Sequence, residues 1–321
     1  MCIPICGGKG KRMGGDGAST TSSARVTSAQ WLDFTAIVIC TLAWGTTWFA
    51  ITKQLGVVDP VISVIYRFAL AAALLFAWCA LRRETLRLNA SQHMAALGIG
   101  FFTFTINYAV VYWAEERVTS AVVAVIFAAL AFVNLVTFRI VFGQRAPLLA
   151  WAAAVLGVVG VGLLSWEEIA SSQFGARALT GLGLTFLGVV SSAIGNVYAR
   201  RGELAGAGVA ASTGWAMAYG AGILAIFAVV TGKTWAFEFT VPYVVSLAHL
   251  AVIGSVVAFL LYYNLARRSG YALASYISAL TPPVAMVVSA YFESKSWGML
   301  ALGGVALVLA GQVLLMRARR A

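Results

Sequence analysis

The sequence predicts an all-α integral membrane protein in which ten transmembrane helices form two inverted repeats of five. Three observations lead there. Apolar runs of about 20 residues recur along the chain, the length a helix needs to cross hydrocarbon. The basic residues between the runs are dense in one gap and sparse in the next. The second half of the chain also repeats the residue pattern of the first.

The runs account for most of the composition. Of 321 residues, 61% are hydrophobic and only 10% are charged, more apolar sequence than a soluble domain of this length has interior to bury. The segments fall at 32–54, 60–81, 93–114, 119–142, 147–165, 178–200, 210–231, 242–265, 271–292 and 297–316. Each must satisfy its backbone polar groups internally, and their Gly, Ala and Leu content suits helices rather than barrel strands.

The net charge of +11 would by itself suggest nucleic acid, but its placement points to a membrane. With the N-terminus inside, sixteen of the 22 Lys and Arg fall on the inner side, five fall outside, and Arg67 sits within a span. That bias puts both termini in the cytoplasm. The lipid bilayer is then the expected partner, and no nucleic acid is. Cys2 and Cys6 lie near the N-terminus and Cys40 and Cys79 in the first two helices; four thiols build no disulfide framework, and the helical pair reads as small apolar residues.

Residues 1–30 are rich in Gly and Ser and read as a disordered cytoplasmic tail, or as an upstream-extended start. Within them GGKGKRMGG (Gly7–Gly15) resembles the phosphate-binding signature of nucleotidyltransferases. That signature works on a loop between strand and helix, and no α/β domain follows. Gly232-Lys233-Thr234 imitates the end of a P-loop, but Phe227 stands where its first glycine belongs.

The internal repeat organises the rest. YWAEERVTSAVVAVIFAALAFVNLVTFRIVFGQR (112–145) runs parallel to YNLARRSGYALASYISALTPPVAMVVSAYFESK (263–295), and PVISVIYRFALAAALLFAW (60–78) to VAASTGWAMAYGAGILAIF (209–227). The halves are 32–166 and 178–316. Five helices is an odd number, so the second copy enters the membrane inverted, an arrangement that places a substrate site near the midplane between halves.

Trp44-Gly45 in the first helix, Pro60 with Arg67 in the second, the Ala/Leu-rich fourth and ninth helices and the Gly/Ala-rich fifth and tenth together resemble the EamA-type members of the drug/metabolite transporter superfamily. The resemblance implies helices 1–4 and 6–9 around a central cavity, helices 5 and 10 at the periphery, and export of amino acids or other small metabolites from a bacterial inner membrane. Members often carry a Gly-Glu pair after the fourth and ninth helices; here the positions read Gly143-Gln144 and Phe292-Glu293.

Arg67 is the first site candidate, because a charge at that depth costs a few kcal/mol and must face protein or water. It is either a cavity cation that binds a substrate carboxylate, or a structural arginine held by helix-end carbonyls or a neighbouring side chain. The substrate-binding set is Arg67 with Trp44, Thr47, Tyr66, Asn107, Tyr108, Asn196, Trp215, Tyr262 and Tyr276. Thr46, Asn134, His249, Asn264 and Gln312 are further mid-span polar groups, which also serve as hydrogen-bonding glue between helices. Trp48, Tyr112 and Tyr263 are further aromatics of the spans, which either line a cavity or pack the core, and Trp113 and Tyr271 read as interface anchors. Gly45, Pro282 and Pro283 are gating candidates, since the proline pair removes two backbone donors and should kink the ninth helix. Gly157, Gly160, Gly162, Gly303, Gly304 and Gly311 mark close helix approach.

The eleven acids all lie in loops, in the tail or at span ends, so no mid-membrane carboxylate is available as a proton relay. Proton coupling is left open; it would use His249, an end-of-helix acid or the substrate itself. No metal or cofactor is expected, and the assembly is a monomer or weak homodimer. The leading function is export of amino acids or derivatives by alternating access. Multidrug or organic-cation efflux, metabolite uptake, and a non-transporting enzyme or scaffold are the alternatives.

Overall fold

The computed structural model describes residues 28–145, 147–171, 175–274, 276–292 and 298–317. The N-terminal glycine-rich motif and Glu293 lie outside the described residues, as do the side chains of Tyr276 and Gln312. Among the described residues there is no strand.

The helices start where the sequence supplies caps. α1 (Ser28–Thr52) leads to α2 (Pro60–Leu81), where the Asp59 carboxylate accepts the Val61 N–H at 2.9 Å and Pro60 occupies the first turn. Both choices suit a helix start, whose first N–H groups lack partners. α3 (Ala90–Glu115) opens on a reciprocal capping box between Asn89 and Gln92. Then come α4 (Val122–Phe142), α5 (Leu148–Ser171), α6 (Gly175–Leu204), α7 (Val209–Val230) and α8 (Val241–Ser269). A single turn, Tyr271–Ala274, precedes α9 (Tyr276–Phe292), and α10 is Met299–Arg317.

Among the described residues seven helices, α1 to α4 and α6 to α8, are long and apolar enough to cross a membrane. Shorter apolar stretches, Leu148–Gly160, Leu280–Phe292 and Met299–Gly311, lie in α5, α9 and α10. The outward faces carry Leu42, Leu70, Ile140, Phe186 and Ile226, all exposed. Such a surface is stable against lipid and not against water.

Packing follows a pattern. α2 lies against α7, α5 against α10 and α4 against α9; α1 packs on α8 and α9, and α6 packs on α3 and α4. Exchanging each helix for the one five positions along maps these pairs onto one another. The exchange is incomplete, because α1 also touches α4. The α5–α10 seam is close: a Cβ on Gly160 would stand 2.5 Å from the Gly304 carbonyl oxygen, and one on Gly311 2.8 Å from that of Ala153. Gly162 and Gly303 face open space and take no part in it.

Two features depart from plain α-helix. Residues Gly100–Asn107 of α3 and Val252–Val257 of α8 form π-helical segments, at matching places in the two halves. In each, a hydroxyl reaches back five residues to a carbonyl: Thr105 to Gly100 at 3.0 Å, and Ser255 to Leu250 at 2.8 Å. Such segments widen the helix and recur at functional sites. α4 breaks into two pieces at Ala128 and Ala129 although it has no proline, with three-residue backbone bonds from both N–H groups. α9 stays helical through Pro282 and Pro283.

Candidate functional site

A central cavity lies where α1, α2, α3, α4, α6, α8 and α9 meet, with about 760 Å³ of space counted together with the solvent that reaches it. α1 contributes Trp44, Thr47, Trp48 and Ile51, one face of the helix. The π segment of α3 contributes Thr103 and Asn107, with Tyr108 and Val111 just beyond. Phe127 and Leu130 flank the break in α4, Ser192 and Asn196 come from α6, Phe259, Tyr262 and Tyr263 from α8, and Ser278 and Thr281 from α9. The wall is aromatic and apolar, with scattered hydroxyls and amides. Arg67 is its one charged lining residue among the described residues.

The geometry around Arg67 follows from its depth. Its residue exposure is 1%, so its charge must be answered by protein. Nε donates to the Ser255 hydroxyl at 2.9 Å, and Nη2 lies 3.5 Å from the Tyr108 hydroxyl. The guanidinium stands 4.5 Å over the Tyr108 ring and 5.3 Å over that of Phe68, where the ring faces attract a cation. Tyr112, also fully buried, adds its hydroxyl nearby. Because Ser255 spends its proton on the Leu250 carbonyl, its lone pair is free to accept from Nε. No carboxylate within 4.0 Å neutralises Arg67 among the described residues, and its Nη1 has no hydrogen-bond partner. Other lining atoms share that condition, among them the indole Nε1 of Trp48, the amide Oδ1 of Asn107 and the hydroxyls of Thr103 and Tyr263.

Of the predicted set, Trp44, Thr47, Arg67, Asn107, Tyr108, Asn196 and Tyr262 line this cavity. Trp44 donates its indole N–H to the Gly254 carbonyl at 3.1 Å in the α8 π segment, and Asn196 bonds Asn134 at 3.2 Å. Two residues are placed elsewhere. Tyr66 faces the loop after α7, its hydroxyl 3.1 Å from the Ala236 carbonyl. Trp215 turns to the opposite end, bonding the Leu86 carbonyl at 2.9 Å and packing on Phe76 and His93. Tyr66 sits one helical position from the inward-facing Arg67, and adjacent residues point about 100° apart; α7, which carries Trp215, adds no residue to the lining. The side chain of Tyr276 is outside the described residues.

Gly45 packs against α9, where a Cβ would meet Val284 at 2.5 Å. His249 is half-buried and bonded to the Thr46 hydroxyl at 3.1 Å, and Asn264 bonds back to the Leu260 carbonyl in its own helix. Tyr271 is buried, at 6% exposed, and packs on Phe138; it is no interface anchor. The sequence reading passed over Thr103, Ser192, Ser255, Ser278 and Thr281, small hydroxyl residues in otherwise apolar spans. Their polarity was the available signal, and it is shared by many packing residues.

Among the described residues, seven helices of membrane length and a cavity with a buried cation in its wall define a polytopic membrane protein. The EamA-like transporter family matches residues 31–166 and 179–317, one match for each half. An uncharacterized inner membrane transporter of Escherichia coli strain K12, YedA, is 28% identical over 257 residues, covering 79% of this chain and 81% of its own. Protein PagO of Salmonella typhimurium is 27% identical over 146 residues; the match spans 45% of this chain and 48% of PagO. A solved crystal structure superposes with a TM-score of 0.68 at 18% identity, over 91% of this chain and 98% of the other, which establishes likeness of fold. The chain belongs to the EamA-like transporter family, of the drug/metabolite transporter superfamily, and is a membrane transporter.

Proposed function

We propose that this chain exports small metabolites bearing a carboxylate, with amino acids or their derivatives as the leading class, across a bacterial inner membrane. The observation that carries the reading is Arg67: 1% exposed, with no carboxylate partner among the described residues, and with Nη1 unbonded beside the cavity. A substrate carboxylate supplies the missing counter-charge and two acceptor oxygens. The unbonded Asn107 Oδ1 accepts a hydrogen bond from an ammonium or hydroxyl group, and the faces of Trp44, Trp48 and Tyr262 take apolar or cationic parts. Organic cations are the less favoured class, since Arg67 repels them and no lining carboxylate offsets it.

The ten-helix inverted repeat, with halves 32–166 and 178–316 and both termini cytoplasmic, is the architecture in which this site works. The exchange pattern of helix pairs, the matching π segments and the separate family matches to each half support it. Alternating access then rocks the halves about the cavity, with Gly45, Pro282 and Pro283 as the hinge region between α1 and α9.

The test is efflux of a preloaded, labelled amino-acid mixture from cells producing the parent, Arg67→Ala or Arg67→Lys. Accelerated loss of particular amino acids should vanish in Arg67→Ala and largely fail in Arg67→Lys, because the ammonium lacks the bidentate fork. A hydrogen-bonded charge contact of about 1.5–3 kcal/mol corresponds to roughly 10–150-fold in affinity. Normal export by Arg67→Ala at equal membrane abundance overturns the site assignment. Amino-acid loss no faster than in cells lacking the protein overturns the substrate class.

A further inference from the structure

A second, smaller cavity lies at the end of the bundle that carries Arg200, Arg201, Arg267 and Arg268. It lies between α3, α6, α7 and α8, with about 220 Å³ of space counted together with the open solvent at its mouth, and its polar wall includes Arg267, Ser212, Thr213 and Tyr271. Tyr263 lines it as well, and also lines the central cavity. That side chain, 4% exposed, is therefore shared by the two spaces. Its ring is held 5.8 Å from Phe259 and 5.3 Å from Tyr262.

Arg267 differs from two of its basic neighbours. Arg200 is paired with Glu203 and Arg268 with Asp33, whereas no carboxylate lies within 4.0 Å of Arg267 among the described residues. Its Nη1 donates to the Ala207 carbonyl at 2.6 Å, which anchors one corner of the guanidinium. Its Nε is buried and has no partner. An anchored fork with an open N–H, in a lining that includes two hydroxyl residues and, among the described residues, no carboxylate, suits an oxyanion even with Glu203 close to Tyr271 and paired with Arg200.

We propose that this pocket is a second binding station for a carboxylate or similar small oxyanion, with Arg267 as its cation and Tyr263 as the wall dividing it from the central cavity. In the transport reading above, on which this role rests, a substrate carboxylate meets Arg267 before Arg67. The pocket itself can be probed without knowing the substrate.

The experiment uses the full chain carrying Cys2→Ser, Cys6→Ser, Cys40→Ala and Cys79→Ala, in inside-out vesicles that expose the arginine-rich end. Val209→Cys, a half-buried lining position, is reacted with sulfonate-bearing and trimethylammonium-bearing methanethiosulfonates, neither of which crosses a membrane. The sulfonate should react at least about tenfold faster, by local electrostatic concentration. Arg267→Gln should remove that preference and Arg267→Lys should keep it. Thr281→Cys, in the central cavity, should be protected in these vesicles and become reactive when Tyr263→Ala is added. A preference unchanged by Arg267→Gln, or an unreactive Val209→Cys, overturns the anion station. Labelling of Thr281→Cys with Tyr263 intact, or none after its truncation, overturns the wall. A negative efflux screen would not alter these rates, so the two readings fail separately.

Discussion

Gly254 allows the sharpest structural test of the site, because it sits where α8, α1 and Arg67 converge. A Cβ added there would lie 2.4 Å from Thr47 Cγ2, 3.3 Å from Arg67 Nη2 and 3.7 Å from Thr47 Cβ. Carbon atoms rest about 3.5–4.0 Å apart, so Gly254→Ala forces α1 and α8 apart by about 1 Å or turns Thr47 off its rotamer. Turning Thr47 breaks its hydroxyl bond to the Trp44 carbonyl, 2.9 Å long, and separation stretches the Trp44–Gly254 bond. Overpacking of this kind costs about 1–3 kcal/mol, which at about 2–4 °C per kcal/mol is a fall in Tm of roughly 2–12 °C. The cause is one methyl group, so Thr47→Ser should relieve it. With Cγ2 gone, the nearest remaining atom is Arg67 Nη2 at 3.3 Å. The helical Gly→Ala change also contributes about 0.5–1 kcal/mol in favour of the fold. Gly254→Ala combined with Thr47→Ser should therefore melt close to the parent. The assay is thermal unfolding of the four proteins in detergent, followed by tryptophan fluorescence. A silent single variant, or a double variant no more stable than the single, refutes the packing described around Arg67.

Two further outcomes follow from the same geometry. Ser255→Ala removes the acceptor that fixes Arg67 Nε, and a hydrogen bond to a charged group is worth about 1.5–3 kcal/mol. The half-saturating concentration for efflux should rise about tenfold or more, Ser255→Thr should stay nearer the parent, and an unchanged value for Ser255→Ala would deny it a positioning role. Along the α5–α10 seam, Gly160→Ala and Gly311→Ala should each lower the melting temperature, because a Cβ would meet backbone at 2.5 and 2.8 Å, while Gly162→Ala and Gly303→Ala have open space and should not. Equal effects at all four positions would contradict the seam.

Much of the cavity lining is legible in the sequence because Arg67 announces itself: a cation in a run of apolar residues has few tolerable environments. Trp44, Thr47, Asn107 and Tyr108 lie within a turn or two of places where the spans carry polar groups, and the cavity gathers them. Tyr66 and Trp215 were misplaced for a common reason. Tyr66 lies beside the inward-facing Arg67 and Trp215 on a helix that adds nothing to the lining, and a helix with apolar side chains all round gives no periodic signal to say which face is inward. The π segments were illegible too. GFFTFTIN and VIGSVV contain nothing that an ordinary helix would refuse.

The sequence by itself determined the class of this protein: helical, membrane-spanning, duplicated, with one costly charge in its second span. Those properties are local, since the length of an apolar run and the desolvation of a guanidinium do not depend on which helices become neighbours. The tertiary structure decided how the charge is met. Ser255, 188 residues from Arg67 in the chain, supplies the acceptor at Nε, and Tyr108 supplies a ring face. Both contacts exist because α2, α3 and α8 converge, and packing between distant helices, rather than any local preference, sets which side chains share that space.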